Sequence, residues 1–225
     1  MNRGQLKTRV SRILGVSLGT DDDQLEETAL MEELANEAVV DILSRTRVNV
    51  RSGTAQLTGG EDEYEIDDSV LRFVGVRRNG NLLTEMAREE LLDDGVAFPG
   101  HNRMKFGSPI SSSGEEIEFW YTPMPTPMMS DTDDPSEPQF GRIPAVFHRA
   151  ILNYMCWHMA DKEGDVGAAR GERYRILYEG RVGQGEPGSS LGQIRLKSNL
   201  RGGAVLVKRR RESLVSDNDA SYWLG

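Results

Sequence analysis

Cysteine, histidine and aromatic residues are scarce in this chain, and each shortage removes a class of explanation. The single cysteine, Cys156, excludes an intramolecular disulfide framework and fits a reducing compartment. The three histidines, His101, His148 and His158, fall at no spacing that a zinc site uses. Aromatics make up 7% of the 225 residues, and no apolar run approaches the ~20 residues of a membrane span. The opening MNRGQLKTRV has no apolar segment of the kind a secretion signal needs. The expectation is a soluble protein assembled in the cytoplasm, with no membrane partner.

What is present is charge, unevenly placed. Charged residues are 28% of the chain against 37% hydrophobic, and the mean hydropathy is −0.51. From Gly183 onward seven basic residues face four acidic ones, so that stretch carries +3 and the first 182 residues carry −12. An acidic body repels nucleic acid at long range, whereas a basic tail seeks an acidic surface. The two parts therefore do different work.

Periodicity divides the chain into five pieces. Residues 1–47 read as two helices. Leu6, Val10, Ile13 and Leu14 recur at helical spacing and Gly15 stops the first. Asp23 and Glu26 suggest a capping box for the second, whose apolar face runs Leu30, Met31, Leu34, Ala38, Ile42. Residues 48–123 read as a β-rich insertion. Asn79-Gly80 is a hairpin signal there, Met86–Leu92 suits one or two helical turns, and Ile117, Phe119 and Tyr121 alternate with Glu118 and Trp120. Residues 124–142 are an irregular Pro/Asp-rich connector. Residues 143–182 form a helical hairpin with Phe147, Ile151, Tyr154, Met155 and His158 on one face, Gly164-Asp165 at the turn, and Val166, Ala169, Tyr174, Leu177 and Tyr178 on the return. Residues 183–225 read as an extended tail that no local element holds. The expected fold class is α+β, a four-helix core with a β-rich insertion and that tail.

Chemistry is hard to assemble from these residues. Gly183-x-Gly185-x-x-Gly188 matches the dinucleotide fingerprint as a pattern, but a helix precedes it where a strand is required and Pro187 interrupts it, so it reads as a flexible linker. Cys156 and His158 lie two apart on a helix, about 200° from each other, and cannot form a dyad. His158 reads as a core or interface histidine. Asp131, Asp133 and Asp134 lack the glycine and distal glutamate of a calcium loop and read as a solvated acidic linker. No catalytic residue, cofactor site or metal site is expected, and the chain does not read as an enzyme.

The tail offers a partner-binding reading instead. The β-prone apolar run Val205, Leu206, Val207 leads into the basic run Lys208, Arg209, Arg210, Arg211, and Tyr222, Trp223 and Leu224 follow near the end. An apolar strand, a basic clamp and an aromatic terminus suit docking by strand addition and pocket insertion. DNA binding by the basic run is the competing reading, opposed by the acidic body.

The order of elements, with MNRGQLKTRVSRILG, TAQLTGGEDEYEIDDSVLRFVGV, GNLLTEMAREELL, EIEFWYTPMPTPMMSDTDDP, RIPAVFHRAILNYMCWHMADKEGD and ARGERYRILYEG, resembles the head-to-tail adaptor proteins of tailed bacteriophages over residues 1–182. The resemblance implies a virion protein at the head–tail interface, in a ring of commonly twelve subunits below the portal. Its expected partners are the portal protein, neighbouring copies, the next tail or stopper protein, and genomic DNA passing through without specific contact. A stopper is the neighbouring alternative, distinguished only by its partner.

Overall fold

The computed structural model describes residues 1–197, apart from 19–20, 67–68, 101, 110, 112–113, 162–163, 182, 184 and 187. The class is α+β, as expected. Helix α1 (Arg3–Leu14) starts at a capping box, where the Asn2 side chain accepts from the Gln5 N–H and the Gln5 side chain accepts from the Asn2 N–H. It ends where expected, with the Gly15 N–H donating to the Ser11 carbonyl at 2.8 Å. Helix α2 (Asp22–Arg45) differs from expectation at its start. Its N-cap is Asp21, which makes no side-chain cap bond, so the Asp23/Glu26 box does not form. Asp22 and Asp23 instead occupy the first turn, where carboxylates favour the helix dipole.

The β unit comprises β1 (Arg51–Leu57), β2 (Glu63–Glu65), β3 (Val70–Arg78), β4 (Asn81–Leu82), β5 (Thr84–Glu85), β6 (Gly95–Ala97), β7 (Arg103–Phe106) and β8 (Glu115–Pro123). They form two four-stranded sheets, in the orders β1-β8-β3-β4 and β2-β7-β6-β5. Asn79 and Gly80 both have positive φ, 50° and 81°, as a type I′ turn between β3 and β4 requires. Alternation on β8 holds as read, with Ile117, Phe119 and Tyr121 buried and Glu118 exposed. These side chains join Val76, Val96, Met104 and Phe106 in one apolar core between the sheets. Between Met86 and Leu92 the helical turn is a single 3₁₀ turn, Arg88–Glu90.

Helices α3 (His148–Asp161) and α4 (Gly164–Glu179) follow. The one-sided apolar face expected for α3 is too narrow. Ala150, Ile151, Leu152, Met155, Cys156, Met159 and Ala160 are all buried, around most of the helix circumference, while Phe147, Tyr154 and His158 are only half-buried. A helix apolar nearly all round is a central helix. It packs with α1, α2 and α4 in a single cluster. Gly164 is the first residue of α4, not the end of α3. On α4, Tyr178 is fully buried and its hydroxyl donates to Asp41 of α2, while Leu177 is 38% exposed.

The four helices are not the whole helical core. Residues 190–197 form a fifth helix, α5, with Leu191 and Ile194 at 0% exposure in the same cluster. Residues expected to begin a free tail are therefore folded onto the hairpin. Among the described residues no helix is long and apolar enough to cross a membrane.

Cys156 sits in this core at 1% exposure, and burial pushes its thiol up to about 12. Only the thiolate reacts, so iodoacetamide should leave the native protein unmodified at pH 8 and label it fully in denaturant. Rapid native labelling, followed by mass spectrometry, would contradict that packing.

Candidate assembly surface

Two features fix where an interaction surface could stand: a clasp that closes the N-terminal end of the helical core, and the loop that seats α5. The clasp is made by the connector. Stiff with five prolines between Pro123 and Pro138, it has no periodicity and reads as solvated. The structure corrects this. Met128 is 1% exposed, and its N–H donates to the Asn36 side-chain oxygen at 2.8 Å. The Arg3 guanidinium donates to the carbonyls of Met128 and Met129 at 2.9 and 2.7 Å. Along the backbone, Arg3 and Gly4 N–H groups donate to the Asp133 and Asp131 carbonyls at 2.8 and 3.0 Å.

The acidic run is spent inside this clasp. Asp131 lies 2.7 Å from the Lys7 ammonium, which also meets Glu32 at 2.6 Å. Burial alone would lower the Lys7 pKa, but its hydrogen bonds to Asp131 and Glu32 raise it. The Lys7 hydrogen bond in turn holds Asp131 below the usual carboxylate range, with Arg3 helping. Asp133 accepts the N–H groups of Met129 and Ser130, each at 2.8 Å. Asp134 accepts the Ser136 N–H at 2.8 Å, and these donors outweigh burial and hold it low. These are internal bonds of a structural loop rather than a cation site.

The histidine that matters here is His148, which sequence reasoning passed over. It is fully buried, with Nε2 3.0 Å from the Ile143 carbonyl and Nδ1 2.7 Å from the Met1 amino group. Nε2–H donating to a carbonyl while Nδ1 accepts is the neutral ring, and burial lowers its pKa below the ordinary value. His158 is half-buried, stacked on Trp157 and tilted against Tyr154, with ring centroids 4.3 and 4.4 Å away. Cys156 is in the core, so the two do not form a pair.

The described residues of the glycine-rich stretch are tied back onto α4. The Glu186 N–H donates to the Glu179 carbonyl at 2.9 Å, and its carboxylate accepts the Arg181 N–H at 3.1 Å. Ser189 caps α5 by accepting the Gly192 N–H at 3.0 Å. A Cβ at position 192 would fall 1.8 Å from the Glu186 carbonyl oxygen, so only glycine lets the helix approach the turn this closely. Ser190 then donates to the Leu177 carbonyl at 3.1 Å and accepts from Asn153 at 3.2 Å, fastening α5 to α4 and α3. Lys197 ends over the Phe147 ring at 5.4 Å. Ser189 with Leu191 and Ile194 is a readable helix signal that the glycines around it obscured.

The family model for SU10 adaptor protein matches residues 1–197, the extent of the helical core with its β unit. The chain belongs to the SU10 adaptor protein family. This bears out the resemblance to phage head-to-tail adaptors and makes the chain a structural protein of a bacteriophage virion. No curated protein matches the sequence. The match ends at Lys197, the last described residue, and the tail residues singled out in the sequence (Val205, Leu206, Val207, Lys208, Arg209, Arg210, Arg211, Tyr222, Trp223 and Leu224) lie outside the described residues. The adaptor also has a cleft of about 400 Å³ between its sheets, lined mainly by Val74, Val76, Leu83, Val96 and Phe98, with Arg47 and Glu85 as charged members.

Two predictions test the clasp. Arg3→Ala removes a charged donor from the Met128 and Met129 carbonyls and one of the two cations beside Asp131 and Glu32, and should cost about 3 kcal/mol of stability in urea unfolding. A loss under ~0.5 kcal/mol would show that the clasp is not a structural bond. The pH response has one sign. His148 has a folded pKa below its unfolded one, so its contribution is whole above about pH 6.5 and fades as pH falls below that. Asp131 and Asp134, also lowered, add a second loss below about pH 4. Tm should fall between pH 7 and 5, and His148→Gln should flatten that upper step; an unchanged slope in the variant would contradict the assignment.

Proposed function

We propose that this adaptor docks onto the phage portal through the segment that follows α5, and that copies stand side by side as a ring, commonly of twelve. The ring would extend the DNA channel and give the next tail component its seat. The observation that carries this reading is the anchoring of α5. Leu191 and Ile194 are buried in the core cluster and Ser190 is bonded to α3 and α4, so whatever follows residue 197 departs from a fixed point. A partner-binding segment held at one end gains affinity, because every copy in a ring presents it at once. The −12 charge of the first 182 residues favours a channel that DNA slides through without sticking. In this reading the protein is structural and catalyses nothing.

The test is sedimentation of the adaptor with the purified portal ring of the same phage, using the full chain and a chain ending at residue 197. Truncation there, rather than at Gly183, keeps Leu191 and Ile194 in the core, and circular dichroism should show an unchanged fold. The full chain should sediment with portal at a fixed ratio and the truncated chain should stay behind. Equal binding by both would remove the tail from the interface. A shift with DNA but none with portal would favour the DNA-binding reading.

A further inference from the structure

Exposed charges on the helical core are sorted by helix. On α2, Asp22, Glu26, Glu33 and Glu37 are exposed, with Leu25 and Ala29 among them. At 100° per residue they fall within one arc, a stripe about 22 Å long at 1.5 Å per residue. None of the four carboxylates has an ion-pair partner among the described residues. Elsewhere on the core, α1 exposes Arg9 and Arg12, and α4 exposes Arg173, again without an ion-pair partner among the described residues, while the neighbouring exposed Glu172 is neutralised by Arg175 at 2.6 Å. The two helices are joined there. Arg170 donates to the Ile13 and Leu14 carbonyls at 2.8 and 3.1 Å, which places the α4 stripe at the end of α1. Exposed apolar groups accompany both stripes: Leu25 at 52% on the acidic one, Ile13 at 39% and Leu177 at 38% on the basic one.

A closed ring of identical copies needs two different faces on each copy, one complementary to the other. We propose that the α1–α4 flank of one adaptor, through Arg9, Arg12 and Arg173, meets the α2 stripe of the next copy, through Glu26, Glu33 and Glu37. This rests on the ring proposed above and names the faces that close it. Charge complementarity sets the orientation, since like faces repel and cannot pair as a two-fold dimer. Leu25, Ile13 and Leu177 supply the apolar contact that charged rims alone lack.

The test swaps the charges. One variant carries Glu26→Arg, Glu33→Arg and Glu37→Arg; the other carries Arg9→Glu, Arg12→Glu and Arg173→Glu. All six side chains are exposed, and both variants keep the tail. Portal rings are loaded with half the adaptor needed to fill them and separated by native mass spectrometry. Wild type should give two populations, bare and fully loaded portal, because neighbours recruit one another. Each variant alone should lose that pattern and load statistically. An equal mixture should restore it, because each variant then complements only the other. Two populations from either variant alone would overturn the pairing, as would statistical loading by wild type or by the mixture of folded variants. Wild type that fails to bind portal at all would instead overturn the adaptor–portal reading, and this inference with it.

Discussion

The buried guanidinium of Arg3 is the contact on which the rest of the architecture leans. It sits in the first turn of α1 and holds the carbonyls of Met128 and Met129, more than a hundred residues away. The chain leaves the helical core after α2, runs through two sheets and must return to enter α3 at a defined point. The Arg3 bonds, with Asn36 on Met128, fix that return. Ile143 and His148 then enter the core at the right depth, and α3 can become the central helix. A buried cation is costly unless fully partnered. Here two carbonyls and the carboxylates of Glu32 and Asp131 surround it. Nε alone among its nitrogens lacks a partner.

The second tie runs across the other end. Tyr178, buried on α4, donates to Asp41 of α2, and Arg45 bridges Asp41 and Glu179. Burial first, and then the neighbouring Asp41, push the Tyr178 hydroxyl up, so it stays a donor across the whole working range of pH. Arg72 on β3 donates to the Thr46 carbonyl at 2.6 Å at the end of α2, which couples the sheet to the helices. The β unit is therefore held to the helical core at both its exits, Thr46 and the connector.

How legible this was depends on the range of the forces involved. The α+β class, the helices α1 and α2, the Asn79-Gly80 hairpin and the alternation on β8 all follow from local periodicity, and all were readable. The connector was not, because its order comes from bonds to Arg3, Gly4 and Asn36, distant in sequence, and its polar residues look solvated until their partners are known. His148 was missed for the same reason, since its partners lie five residues on one side and at the start of the chain. The narrow stripe expected on α3 failed because alanines and Cys156 fill a tight core without looking strongly apolar. Helix α5 was hidden by composition: glycine density suggests a linker, yet Gly192 is there because the helix presses on the Glu186 carbonyl.

Magnitudes bear on the proposed ring, in which sorted charge would join copies only where they stand side by side. An exposed ion pair contributes about 0.2–1 kcal/mol, so three such pairs give at most about 3 kcal/mol. Bringing two free molecules together costs about 4–15 kcal/mol in lost translation and rotation. The charged pairs of the proposed flank contact would thus leave free copies apart. If, as proposed, the segment beyond residue 197 tethers two copies to adjacent portal subunits, the same contact would become intramolecular, at an effective concentration in the millimolar range. The proposed ring would then close only on its template. A stronger, more apolar flank would close rings in solution, away from the portal, and an all-acidic surface would keep neighbours apart even on it.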